Sequence, residues 1–275
     1  MGLRCIYFRV AKIYFFFEIT SKKNLFLYYK QLCLFESLYK KRLSNNYMPL
    51  ELLLTDDGSY TLYSSDFQEI YHSRQGALTE SMHVFIKAGL EFVLGKHKHI
   101  ELLEVGFGTG LNALLSLQVI KNLDDIRINY HGIEPILPPY AMVEALAYPC
   151  QLDDFSLEKD FKAIHQCPPF EMRTIKENFA FRLLPIPFEQ FMGDRAFNLI
   201  FYDAFAPSHH EAMWQPIVFE KITQWLAPEA VLVTYCAKGV FKRMLKELGF
   251  HIESLPGPGR KREMTRAIWI GNGKK

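Results

Sequence analysis

The chain has 275 residues, 32 Lys/Arg against 30 Asp/Glu, and is long enough for one large α/β domain with a full core. Its five Cys (5, 33, 150, 167, 236) are scattered, odd in number and free of any C-x-x-C pair, so reduced thiols of a cytoplasmic protein are expected rather than a disulfide framework or a zinc site. The near balance of charge hides a division: residues 1–47 carry nine Lys/Arg and two Asp/Glu, residues 48–235 thirteen and 25, and residues 236–275 ten and three. An anionic partner is therefore expected at the C-terminal end rather than the middle.

Residues 1–47 are crowded with Phe, Tyr, Leu and Lys. Arg9, Lys12 and Glu18 interrupt the apolar run, leaving it too short and too charged for a membrane span, and no small-residue cleavage site marks a signal peptide. A basic amphipathic membrane helix and an RNA-binding arm both fit this pattern. The plainer expectation is an extension that adds no chemistry, ahead of a start at Met48.

From Met48 onward, residues 50–54 and 60–63 flank Asp56-Asp57-Gly58 and read as a hairpin, with residues 67–71 as a third strand. After a polar loop (residues 72–77), Thr79 reads as the N-cap of a helix whose buried stripe is Met82, Phe85, Ile86, Leu90 and Val93. Residues 48–98 thus form an expected N-terminal hairpin-and-helix embellishment on a main domain over residues 99–275.

That domain is organised around residues 100–117, I-E-L-L-E-V-G-F-G-T-G-L-N-A-L-L-S-L. An apolar run stops at Gly106, Gly108 and Gly110, and a helix-like pattern follows at once. Glycines there allow positive φ and let a ligand lie on bare main chain at a helix N-terminus. Dinucleotide binders and S-adenosylmethionine (SAM) methyltransferases share such turns. A dinucleotide fingerprint would place its third Gly three residues after the second, where Leu111 stands. Glu104 inside the strand and Glu134 at the end of the next strand (residues 126–133) favour SAM, with Glu134 at the spacing of a ribose-binding acid.

Beyond the turn, strands and helices alternate as in a parallel sheet. Helices are expected at residues 138–147 and 153–165, a hairpin at 170–175 and 179–184, and buried strands at 196–202 and 230–235. A helix over residues 239–248 ends at Gly249, and strands at 250–255 and 265–270 close the domain around a Pro/Gly-rich basic loop. Asp203, in F-N-L-I-F-Y-D-A-F-A-P, falls at the C-terminal end of a buried strand, where open α/β sheets bind ligands. A carboxylate there can hold an alkyl ammonium and help it lose the proton that blocks nucleophilic attack; a turn or helix cap is the other reading.

E-V-G-F-G-T-G-L-N, D-A-F-A-P followed by Met213-Trp214, T-Y-C-A-K-G (residues 234–239), G-R-K-R-E-M (259–264) and Y-H-S-R-Q-G-A-L-T-E-S-M-H-V-F (71–85) together resemble the methyltransferase family that finishes 5-methylaminomethyl-2-thiouridine at the tRNA wobble position. That family occurs as the N-terminal half of bifunctional MnmC and as stand-alone MnmD. The resemblance covers about residues 52–270. At this length no flavin-dependent oxidase half is expected, so the stand-alone form is the expected counterpart.

The resemblance implies a class I SAM-dependent methyltransferase fold, Rossmann-like with a mostly parallel seven-stranded sheet, and SAM as cofactor. It implies methylation of the amine of 5-aminomethyl-2-thiouridine, a tRNA anticodon stem-loop as partner, no metal, no membrane, and a link to the enzymes making the aminomethyl precursor. Carried over, Glu104, Gly106, Gly108 and Gly110 shape the methionine side of the SAM pocket, Phe107, Thr109 and Asn112 are further cofactor-binding residues, and Glu134 holds the ribose. Asp203 faces the aminomethyl group, and Phe205 and Pro207 wall the uracil slot. Adenine recognition stays open, because Pro185 and Pro187 leave only Glu189 as an acid after that strand. Lys238, Arg260, Lys261 and Arg262 are the expected phosphate contacts, with Lys242, Arg243 and Arg266 adding to the basic end. His72, Arg74, Gln75, Glu80 and His83 are weaker pocket candidates. Two other readings remain at this stage: N-methylation of a small-molecule or protein amine, and a non-catalytic RNA-binding module.

Overall fold

The computed structural model describes residues 50–271; the basic segment 1–47 and the expected start at Met48 lie outside the described residues. β1 (Leu50–Leu54) and β2 (Tyr60–Ser64) pair antiparallel, with Leu54 opposite Tyr60, and β3 (Glu69–Ile70) adds a short third strand. The turn between β1 and β2 organises the next helix. Asp57 Oδ1 accepts hydrogen bonds from Thr55 Oγ1 and from the Ser59 backbone, while Oδ2 accepts from Thr79 N (2.9 Å) and Thr79 Oγ1 (2.7 Å). Ser59 Oγ accepts from Ala77 N at 2.9 Å. Thr79 is therefore not the N-cap: α1 (Ala77–Ser81) starts two residues before it, and its orphan N–H groups are satisfied from the hairpin turn.

α1 runs on as a π-helix (Met82–Leu90) and ends as α2 (Glu91–Leu94). Of the expected stripe, Phe85, Ile86, Leu90 and Val93 are buried and Met82 is half-buried. At Gly89 the π-helix presses against the main sheet so closely that a Cβ would lie 2.8 Å from Val233 Cγ2. Packed side chains leave no room for that atom.

The main sheet contains β4 (His99–Val105), β5 (Arg127–Ile133), β6 (Met172–Lys176), β7 (Phe179–Leu184), β8 (Phe197–Tyr202), β9 (Leu226–Thr234), β10 (Phe250–Pro256) and β11 (Glu263–Trp269). Their order is β10-β11-β9-β8-β4-β5-β7-β6. The five strands from β7 to β9 are parallel neighbours, and β11 is antiparallel to both β9 and β10. β6 extends the expected seven strands at one edge as the outer arm of the hairpin seen in the sequence. The parallel strands are covered on both faces, as their near-continuous apolar runs require.

Alternation along β4 sends Ile100, Leu102 and Glu104 to one face and Leu103 and Val105 to the other, and two separate apolar clusters form on the two sides. α3 (Leu111–Ile120) follows the glycine turn and is buried almost all round, including Leu114, Leu115 and Leu117 at 0% exposure. Each such Leu contributes roughly 1.5–3 kcal/mol over an exposed one. α4 (Tyr140–Ala145), α5 (Tyr148–Gln151) and α6 (Glu158–His165) cross from β5 to β6, α7 (Pro216–Thr223) lies between β8 and β9, and α8 (Gly239–Glu247) precedes β10. α7 has no counterpart in the sequence expectation. Among the described residues no helix is long and apolar enough to cross a membrane, and no group of three His, Cys, Asp or Glu could hold a metal ion.

Candidate active site

The glycine turn is pinned at the carboxyl ends of β4 and β5. Gly106 N and Phe107 N both donate to Ile133 O at 3.0 Å. Gly106 has φ +94°, and a Cβ on it would lie 2.4 Å from Asp203 O, so only glycine lets the ends of β4 and β8 come this close. Gly108 N donates to Glu134 Oε2 and Ile136 N to Glu134 Oε1, both at 3.0 Å. Glu134 thus faces the turn with one acceptor position on each oxygen already filled and others free. Burial pushes its pKa up to about 7, against those two backbone bonds.

Asp203 stands at the end of β8, its N–H bonded to Val105 O at 2.9 Å. Asn112, in the first turn of α3, donates from Nδ2 both to Asp203 Oδ2 (2.9 Å) and to Glu104 Oε1 (2.8 Å), and Tyr130 donates to Glu104 Oε2 (2.8 Å). Glu104 is fully buried, and burial together with the charge of Asp203 raises its pKa well above the usual range. Glu104, buried behind Asn112, holds the amide that in turn bonds Asp203. Burial, with the nearby Glu80 charge, pushes Asp203 up to about 8, partly offset by Asn112 and Lys261. The main chain after Asp203 is also held, since Tyr235 donates to Ala204 O (2.7 Å) and Trp214 Nε1 to Phe205 O (2.8 Å).

Two cavities meet at this point. One, of about 210 Å³, runs along the glycine turn to Glu134 and on to Pro187 and Glu189. The other, of about 260 Å³, holds Glu69, Arg74, Glu80, Tyr235 and Lys261. Tyr71, His72, Asp203, Ala204 and Phe205 line both. Phe205 is held at the junction by Phe67 (ring centroids 5.2 Å) and by Tyr71 edge-on (5.4 Å). His72 bridges Thr61 (3.0 Å) and Thr109 (3.4 Å), and burial drops its pKa to about 4, so it is neutral near pH 7.

Of the residues expected from the sequence, Gly106, Phe107, Gly108, Thr109, Asn112, Glu134, Asp203 and Phe205 line the first cavity. Glu104 and Gly110 do not: the first acts through Asn112, and the second, with φ +76°, caps α3 against His165 and Phe107. Pro207 lines neither cavity. Lys261 reaches the second cavity, ion-paired to Glu80, whereas Lys238, Arg260 and Arg262 are exposed and line neither. Lys242 pairs with Glu263, and Arg266 pairs with Glu253 and stacks on Phe92 (3.9 Å), so both are committed within the protein. His72, Arg74 and Glu80 line the second cavity; Gln75 instead accepts from Arg260 N (2.7 Å), and His83 Nε2 bonds Pro256 O (2.8 Å). Sequence reasoning missed Phe67, Tyr71, His210, Met213 and Tyr235. Tyr71, Met213 and Tyr235 lay inside recognised motifs and could have been found there; Phe67 gave no signal.

The first cavity fits SAM by its own chemistry. Bare main chain at residues 106–108 accommodates a close ligand, Glu134 has free acceptor positions for vicinal hydroxyls, and Phe107, Ile136 and Phe188 supply apolar walls. Asn112 Oδ1 is buried without a partner among the described residues, an acceptor open to an ammonium.

Residues 186–269 match a family described as S-adenosyl-L-methionine-dependent methyltransferase. Proteins named "tRNA 5-methylaminomethyl-2-thiouridine biosynthesis bifunctional protein MnmC" are similar over most of the chain: that of Pseudomonas aeruginosa is 30% identical over 226 residues, 76% of this chain and 33% of its own length. That of Leptospira interrogans is 31% identical over 227 residues, 77% of this chain and 34% of its own. The chain spans about a third of the length of these curated relatives. The crystal structure of MnmC2 from Aquifex aeolicus superposes with a TM-score of 0.63 at 21% identity, covering 82% of this chain and 71% of that one. The chain thus has the class I SAM-dependent methyltransferase fold, and over about three quarters of its length it is similar to the MnmC proteins.

Proposed function

We propose that the protein methylates the aminomethyl nitrogen of 5-aminomethyl-2-thiouridine at the tRNA wobble position, giving 5-methylaminomethyl-2-thiouridine. The observation that carries this reading is Asp203 on the wall shared by two cavities, one with the features of a SAM site and the other rich in carboxylates and aromatic rings. SAM, when bound, supplies a methyl on a sulfonium that a nitrogen lone pair can attack.

The chain's own residues do the rest. Gly108 N–H and Ile136 N–H fix Glu134 to accept the ribose hydroxyls. Glu104, through Asn112, sets the direction of Asp203. Burial keeps Asp203 protonated up to about pH 8 in the free site, and the arrival of positively charged ligands favours its ionised form. The carboxylate then takes the proton from the acceptor's ammonium and frees the lone pair. Phe205, braced by Phe67 and Tyr71, offers an aromatic face to an unstacked base. Lys238, Arg260 and Arg262 are exposed for phosphate, which positions an RNA without reading its sequence. A cytoplasmic setting belongs to this reading, as does a preceding enzyme that makes the aminomethyl group.

Incubation with SAM and tRNA carrying the aminomethyl group should add one methyl to the wobble base, in a reaction that weakens steeply with salt. No transfer to that tRNA, alongside transfer to a free small amine, would replace this function with small-amine methylation.

A further inference from the structure

The second cavity already contains an ammonium, that of Lys261. Glu80 is only 7% exposed; its Oε2 accepts from Ser73 N at 2.7 Å and its Oε1 pairs with Lys261 Nζ. The same Nζ lies 5.0 Å from the centre of the Tyr235 ring, whose orientation is fixed by the bond from its hydroxyl to Ala204 O. A buried carboxylate beside an aromatic face is a cation site, and Asp203 lines the same cavity.

We propose that Glu80, with the ring of Tyr235, is the counter-ion site for the acceptor's ammonium group, and that Lys261 fills this site until the acceptor displaces it. The proposal rests on the function given above and names a further acceptor-positioning residue for it. Exchange of one ammonium for another leaves the net charge of the cavity unchanged, so neither a bare buried carboxylate nor a bare buried cation arises during binding. Lys261 can leave without unfolding its loop. The main chain is anchored by Arg260 N to Gln75, His83 to Pro256 O and Lys261 N to Pro258 O, while the lysine stem is flexible and 37% of its side chain is exposed. Outside, its charge joins those of Arg260 and Arg262, both exposed.

The test compares two nucleosides differing in charge, 5-aminomethyl-2-thiouridine and its neutral 5-hydroxymethyl counterpart, titrated into the full chain saturated with S-adenosylhomocysteine. The wild type should favour the amine, and Glu80→Gln should reduce that preference roughly tenfold or more, as for loss of a desolvated charge pair. Lys261→Met, on an exposed loop, should tighten the amine several-fold and leave the neutral nucleoside unchanged. Equal weakening of both nucleosides by Glu80→Gln, or no tightening by Lys261→Met, would overturn the proposal while wild-type methyl transfer to tRNA continued. Absence of wild-type methyl transfer to that tRNA would remove the functional reading itself.

Discussion

Glu134→Gln is a nearly isosteric change with a calculable consequence. Each carboxylate oxygen now accepts one backbone N–H at 3.0 Å, from Gly108 and from Ile136. An amide has only one oxygen, so one of those N–H groups must face an NH2. A buried donor left unpaired costs about 1–3 kcal/mol, and loss of a charged acceptor for the ribose hydroxyls about 1.5–3 kcal/mol more. The first cost falls partly on the free protein, so the second sets the expected loss of SAM affinity: roughly 10- to 100-fold. Isothermal titration with S-adenosylhomocysteine measures it directly, with the thermal transition as a check on folding. The wild-type affinity should also rise with pH through about 7, because burial raises Glu134 to that value and the ionised form is the better acceptor. An affinity for Glu134→Gln within a factor of about two of wild type would refute Glu134 as the ribose ligand.

Asp203→Asn preserves an oxygen for Asn112 and should leave S-adenosylhomocysteine binding nearly intact while methyl transfer falls roughly 10²- to 10⁴-fold, the range for loss of a general base; equal loss of both in binding and rate assays would make Asp203 structural. With Asp203 raised to about 8, the wild-type kcat/KM at low acceptor concentration should climb with pH toward that value, and a flat profile from pH 6 to 9 would contradict its role. Asp57→Ala removes acceptors from both the hairpin turn and Thr79 and should cost about 1–2 kcal/mol, as capping losses do, seen as a Tm lower by about 2–8 °C. Although burial opposes ionisation, hydrogen bonds from Ser59 and Thr79 hold Asp57 near pKa 2. Its contribution is therefore present above about pH 4 and lost as pH falls through about 2.

What the sequence revealed depended on how local the causes were. Ile100 to Val105 against Gly106 reads as a strand meeting a turn because alternation and glycine act within a few residues, and Asp203 is visible because the buried run of β8 ends there. The capping of α1 is not local: Thr79 looks like a cap by residue type, yet Asp57, 22 residues earlier, holds its N–H. Likewise G-R-K-R reads as three equivalent cations, whereas the fold turns Lys261 inward onto Glu80, 181 residues away, and leaves Arg260 and Arg262 outside. Phe205 and Pro207 are two residues apart and read alike in the sequence; the bond from Trp214 to Phe205 O and the packing of Phe67 go with the position of Phe205 along both cavities, which Pro207 does not line. α7 is hard to read from the sequence because its buried face is short, Val218, Phe219 and Ile222, and Pro216 at its first position is its one start signal.

The most direct measurement is mass spectrometry of the wobble nucleosides in tRNA from cells lacking this protein. The account predicts accumulation of 5-aminomethyl-2-thiouridine and loss of 5-methylaminomethyl-2-thiouridine, reversed by wild-type protein and not by Asp203→Asn. Unchanged 5-methylaminomethyl-2-thiouridine, or full rescue by Asp203→Asn, would contradict it.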